Sequence, residues 1–331
     1  MSHSKTGVLL LNLGTPKSPE KKAVKAFLKE FLDDHRVVDL PYLARKILLH
    51  GVILPFRPKN TAKAYQAIWD PLKGSPLLFH SQDLAETLRD NLGDDFWVEV
   101  GMRYGEPDIS SALDNMIAAN CHQMIILPLF PQYSSAASGS AIQKTLECLK
   151  NRWNIPSIKI QHQFYADPEY ITAQSEIIAP YLEKVKPDAM VLSYHSLPER
   201  HLKKSNGHFC YRTQCLKTSH LLAQKLNLTE KNYRVAFQSK IGRTKWIGPD
   251  VQTVFSDLIS QNCKNILVAC PSFVADCLET LEEIGIRGLE QWKAMGGKEF
   301  TLVPCLNADP LWVKAVGRWV RRLSMSTSFV F

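Results

Sequence analysis

Most of the short patterns by which a sequence declares its chemistry are missing from this 331-residue chain. No G-x-G-x-x-G follows the first apolar run and no G-x-x-x-x-G-K-[ST] occurs, which disfavours a nucleotide cofactor. There is no G-x-S-x-G elbow for a serine hydrolase and no H-E-x-x-H for a zinc protease. The eight cysteines, at 121, 148, 210, 215, 263, 270, 277 and 305, include no C-x2-C pair of a zinc site or ferredoxin cluster. A chain of this size does not need disulfide staples, so free thiols in a reducing cytosol are expected. Long apolar runs are absent too. The opening MSHSKTGVLLLNLGTP has a short one that stops at Asn12, with neither the length nor the cleavage site of a signal peptide. No stretch approaches the length that spans a bilayer. The expected location is cytoplasmic, with at most a peripheral place on the inner face of a membrane.

What is present fits a globular protein of two domains: 45% apolar residues, 22% charged, and a length beyond that of most single cores. The net charge is +8, yet lysines and arginines are dispersed and no nucleic-acid motif occurs, so no nucleic-acid partner is expected. An anionic small substrate or an anionic lipid surface explains the excess equally well.

Eight strand-like runs each precede a helical pattern: Val8–Leu11, Trp97–Gly101, Met124–Leu129, Ile158–Gln163, Met190–Tyr194, Arg234–Gln238, Ile266–Cys270 and Phe300–Val303. Ser18 and Pro19 read as the cap and first residue of the first helix. This βα alternation predicts an α/β fold with two doubly wound, Rossmann-like domains. Each carries a parallel four-stranded sheet, and a ligand cleft is expected between them. The expected bounds are 1–165, with an apolar lip at about 40–65; 166–308; and a C-terminal helical segment, 309–331, packing back on the first domain.

Ligands in such sheets sit beyond the carboxyl ends of strands. There the chain gathers Leu13, Arg103, Tyr104, Tyr133 and His195, a set suited to a large, flat, partly apolar ligand. A lone histidine at a strand end is ordinarily a turn residue satisfied by a carbonyl. Downstream, in CPSFVADCLETLEEIG, Asp276, Glu279 and Glu283 are spaced i, i+3 and i+7 and are predicted to share one α-helical face. Asp276 is expected in the first turn, Val274, Leu278 and Leu281 opposite, and Glu282 on the flank, where an amide would leave turnover nearly unchanged. Such a stripe is ordinarily a solvated surface. Carboxylates and an imidazole facing one cleft, however, suit proton transfer or a divalent metal, Fe(II) among others.

The stretches LLLNLGTP, LPLFPQYS, SYHSLP, FQSKIGR and CPSFVADCLETLEEIG, in this order over nearly the whole chain, resemble ferrochelatase, the enzyme that inserts Fe(II) into a porphyrin. The resemblance implies the class II chelatase-like fold and a porphyrin in the cleft. It implies that the histidine of S-x-H-S-L-P, here His195, and the first glutamate of D-x-x-E-T-L-x-E, here Glu279, form the catalytic and metal-insertion site. Asp276 and Glu283 would complete a path for protons or metal. Leu13, Tyr65, Arg103, Tyr104 and Tyr133 match porphyrin-lining positions, and Arg57 and Ser75 match contacts to the propionates. Cys277 stands where some members have histidine. No organic cofactor is implied, and iron is a substrate. WVRRLSMSTSFVF lacks the cysteines that hold a [2Fe-2S] cluster in animal members, so no cluster is expected. Protoporphyrin IX is the expected substrate, with coproporphyrin, or a tetrapyrrole carrier without insertion chemistry, as alternatives.

Overall fold

A computed structural model describes residues 4–325 apart from 206, 241 and 243. Ile241 and Arg243 of the FQSKIGR stretch, and residues 326–331, lie outside the described residues. The chain divides into two units. One comprises residues up to 130, 134–163 and 308 onward; the other comprises 131–133 and 164–307.

The first unit holds strands β1 (Lys5–Gly14), β2 (Phe96–Tyr104), β3 (Cys121–Pro128) and β4 (Ser157–Ile160), all parallel, in the order β2-β1-β3-β4. The second repeats the plan with β5 (Ala189–His195), β6 (Tyr233–Gln238), β7 (Asn265–Ala269) and β8 (Glu299–Leu302), in the order β6-β5-β7-β8. The α/β expectation and its eight strands hold. A smaller parallel also recurs. The Met102 N–H donates to the Pro107 carbonyl, and the Phe237 N–H donates to that of Pro249. In each unit an aspartate, Asp108 or Asp250, then caps the next helix.

Strands in such sheets are covered on both faces, so their sequences are continuous apolar runs rather than alternating ones. Val8, Leu9, Leu10 and Leu11 are fully buried, each worth roughly 1.5–3 kcal/mol of burial. Leu9, Leu11 and Ile126 pack with Ile109, Leu113 and Met116 in the first core. Val191 and Val268 pack with Phe255, Leu258 and Trp292 in the second. β1 ends at Gly14, where φ is +112° and an added Cβ would lie 1.8 Å from the Tyr104 carbonyl oxygen. Only glycine lets the two strand ends approach so closely.

The first helix runs over Lys21–Asp33, its N-cap being Glu20 without a side-chain cap. It therefore opens later than Ser18 and Pro19 suggest. The C-terminal helix, Pro310–Met325, belongs to the first unit, where Arg321 donates to the Asn91 carbonyl and Gly317 lies against the Asn91 side chain. Among the described residues three segments are π-helical: Leu48–Ile53, Ser135–Gly139 and Leu278–Gly288.

Candidate functional site

In both units the strand order reverses beside the first strand, between β1 and β3 and between β5 and β7. Ligands of open α/β sheets bind at such switch points, beyond the carboxyl ends of the strands. His195 is the last residue of β5 and borders the second of them.

The backbone holds His195 firmly. Its N–H donates to Ser272 Oγ (3.1 Å), in the segment after β7, and its carbonyl accepts from the Tyr211 hydroxyl (2.9 Å). The ring Nδ1 lies 2.5 Å from the Ser196 carbonyl oxygen. A carbonyl can only accept, so Nδ1 carries the hydrogen in the neutral ring, and the lone pair sits on Nε2. The half-buried imidazole, with the Phe273 ring 6.4 Å away, is thus fixed in orientation, and among the described residues its Nε2 has no partner.

The neighbouring strand connects His195 to the acidic segment. Gln238 ends β6 directly beside His195. Its Nε2 donates to the Glu279 carbonyl (2.7 Å), while its Oε1 accepts from Ser193 Oγ (2.7 Å). The next residue, Ser239, has a left-handed φ of 67°. From that conformation its N–H donates to one oxygen of Glu283 (2.7 Å) and its hydroxyl to the other (2.6 Å). The positions of Gln238 and Ser239 at a strand end were visible in the sequence; their grip on the acidic segment was not.

The acids themselves differ from the α-helical expectation. The helix begins at Leu278 and is π-helical, so Asp276 and Val274 precede it and do not belong to its faces. Asp276 is buried, at 4% exposure. Its carboxylate accepts from Asn307 Nδ2 (2.8 Å), the Thr280 hydroxyl (3.0 Å) and the Cys305 N–H (3.3 Å). Its own N–H donates to Asn307 Oδ1 (2.8 Å). Asp276 is thus braced on several sides by buried donors. Asp276→Ala should lower stability by about 3 kcal/mol, because it strands several buried donors. An unchanged urea midpoint would show that the brace carries no load. Glu282 is not on an open flank either; it is largely buried and bound by Arg287.

Of the four acids, then, three are held by N–H or O–H donors. Glu279 stands apart. It is half-buried, and among the described residues its carboxylate faces only the Cys277 thiol as a hydrogen-bond donor. Burial, and then this carboxylate, push that thiol well above its usual pKa. A fixed imidazole whose Nε2 meets no partner among the described residues and a carboxylate met only by a thiol thus share one support, Gln238. Among the described residues no group of three or more histidine, cysteine or acidic side chains forms a ready metal cage.

In the first unit Arg103 donates to Asp34 and Ser140, both at 2.7 Å, and lies over the Tyr104 ring. Burial opposes the charge of Asp34, but hydrogen bonds from Ser140, the Arg36 N–H and Tyr104, with the Arg103 charge, hold its carboxyl below the usual range. Nothing in the sequence pattern marked Asp34. Tyr104 is fully buried with its hydroxyl on Asp34 and Ser140, so it braces Arg103 and lines no surface, contrary to expectation. Tyr65 and Ser75 are also buried; Ser75 accepts from the Thr15 hydroxyl (2.7 Å) and Tyr65 packs edge-on against Trp69. Leu13 and Arg57 are half-buried. Tyr133, half-buried, belongs to the second unit, where Gln214 accepts from its N–H and its ring meets Phe209. Along 40–65, the side chains of Tyr42, Leu43, Ile47, Val52 and Phe56 are 55–74% exposed, and Arg45 and Lys46 pack against Tyr42.

A family model described as ferrochelatase matches residues 5–323. A relative named ferrochelatase from Legionella pneumophila (strain Paris) is 53% identical over 326 residues, spanning 94% of this chain and 97% of its own length. One of the same name from Coxiella burnetii is 45% identical over 339 residues, spanning 97% and 94%. Among solved structures, SirB from Bacillus subtilis with Fe3+ aligns with a TM-score of 0.58 at 12% identity, covering 97% of this chain and 96% of that one. At that identity the likeness bears on the fold alone, the two-sheet α/β architecture of a chelatase.

Proposed function

This chain belongs to the ferrochelatase family, an enzyme family of haem biosynthesis that inserts metal into porphyrin, and from that premise we propose that it inserts Fe(II) into protoporphyrin IX. What supports the site assignment is that Gln238 joins the strand end bearing His195 to the backbone of Glu279, while neither His195 Nε2 nor the Glu279 carboxylate meets an N–H or O–H partner among the described residues.

The macrocycle's four nitrogens point inward and two carry protons. Both must leave as Fe(II) enters, so the balance is one Fe(II) bound and two protons released. His195 Nε2 is the acceptor suited to the first, because its Nδ1–H is already anchored on the Ser196 carbonyl and leaves the Nε2 lone pair to take a proton. The Glu279 carboxylate takes the second proton or pairs with the incoming ion. Glu283, fixed by Ser239, is the next acceptor along the same helix. Leu13, Arg57, Arg103 and Tyr133 would meet the porphyrin and its propionates, with the buried Tyr104 holding Arg103 in place through Asp34. A bound, distorted ring would tilt its lone pairs towards the ion, a strain worth roughly 1–5 kcal/mol. Iron is a substrate here, and no organic cofactor and no [2Fe-2S] cluster take part.

Mixing the protein with Fe(II) and protoporphyrin without oxygen tests the reading: porphyrin fluorescence should decay faster than in the absence of protein. An unaccelerated decay with intact porphyrin binding would mark a carrier. Faster turnover of coproporphyrin in a parallel assay would transfer the substrate assignment to that ring.

No helix among the described residues is long and apolar enough to cross a membrane. The exposed apolar stretch 42–56 beside Arg45 and Lys46 nevertheless suits a hydrophobic substrate delivered at an anionic lipid surface. Weak, salt-sensitive binding to anionic vesicles is expected; failure to co-sediment at low salt would remove it.

A further inference from the structure

The segment Leu278–Gly288 is eleven residues of π-helix, closed by the Leu289 N–H on the Ile284 carbonyl, five residues back. π-helix is rare and ordinarily confined to a single turn. A run this long needs something to hold its register against the α alternative.

Glu282 and Arg287 meet that need. Arg287 Nε donates to both carboxylate oxygens of Glu282 (2.9 and 3.0 Å), and Nη2 lies 2.9 Å from one of them. The two residues are five apart. In an α-helix that spacing puts side chains roughly 140° apart around the axis, and neighbours occur only at three and four. In a π-helix, of about 4.4 residues per turn, the same side chains come within roughly 50° of each other and can meet. The fork therefore closes in one register and opens in the other. The Glu282 side chain is 11% exposed, so its charge is partly desolvated and its loss of partner is felt.

Register decides where the working acids point. At the N-terminal end Gln238 holds the Glu279 carbonyl, and in the middle Ser239 holds both Glu283 oxygens. We infer that the Glu282–Arg287 pair is a positioning pair, the C-terminal clasp that keeps 278–288 in π register and thereby aims Glu279 and Glu283. This rests on the reading of those two acids as participants in metal insertion.

Two variants and two readouts test it. Arg287→Gln removes the fork. The double variant Ile286→Arg, Arg287→Ile moves the guanidinium to the α spacing, and both positions are solvent-exposed, so no new charge is buried. Amide exchange over 278–289 reports the register whether or not iron is inserted, so it separates this inference from the functional reading. Arg287→Gln should speed that exchange by roughly tenfold or more. Turnover should fall roughly tenfold to a hundredfold at unchanged porphyrin KM, as for a misplaced reacting group. The relocated arginine should restore the thermal midpoint but not kcat. Exchange unchanged in Arg287→Gln, or full kcat with the relocated arginine, would overturn the inference. Should the relocated variant fail to fold, the exchange of Arg287→Gln decides alone.

Discussion

Replacing Glu279 with glutamine is expected to cut iron insertion roughly a hundredfold or more while leaving the fold and porphyrin affinity intact. The expectation follows from what the carboxylate does not do. It receives no N–H or O–H among the described residues, so an isosteric amide should change stability by no more than about 0.5 kcal/mol. What the amide lacks is a charge to meet the metal and a basic oxygen to take a proton. Glu283→Gln should slow turnover less, because the amide oxygen still accepts from the Ser239 N–H and the serine hydroxyl can reorient. Glu282 cannot serve as the silent control that an α-helical flank suggests, since its amide would loosen the Arg287 fork. Turnover and porphyrin affinity for the Glu279 and Glu283 variants, at equal folded concentration, decide the matter. Equal activities, or a larger loss at Glu283, would sink the assignment.

The strands were legible because burial on both faces leaves nothing for a sequence to alternate: VLLL and MVLSY admit little else between polar turns. His195 was legible for the same reason, as the polar residue that a buried run delivers to a carboxyl end. The acidic segment was misread through its period. A spacing of i, i+3 and i+7 has meaning only on a 3.6-residue helix, and nothing in LETLEEIGIRG announces five-residue bonding. The i, i+5 pair of Glu282 and Arg287 was the available signal, and it is noticed only once the register is known. Asp276 escaped for another reason. Its partners, Cys305 and Asn307, lie about thirty residues away, beyond the reach of any local pattern. Tyr104 was a strand-end aromatic like its neighbours until Asp34, about seventy residues upstream, drew its hydroxyl inward.

His195→Asn should be as damaging as the loss of Glu279, and more informative than an alanine. The asparagine amide can still donate to the Ser196 carbonyl from nearly the place of Nδ1, and the Ser272 and Tyr211 contacts are to backbone and survive. Stability should therefore move by less than about 1 kcal/mol, a small change for a half-buried side chain. No atom of asparagine reaches the position of Nε2, so the variant lacks the acceptor for the first pyrrole proton. Removing a positioned base of this kind costs roughly 10²- to 10⁴-fold. The loss should appear in kcat, with porphyrin binding retained, because the imidazole is asked to act on the reacting nitrogens and not to hold the ring. If His195 were only a turn residue satisfied by its neighbouring carbonyl, the asparagine would preserve that bond and the rate alike. Turnover within a few-fold of the unchanged protein would thus return His195 to a purely structural role.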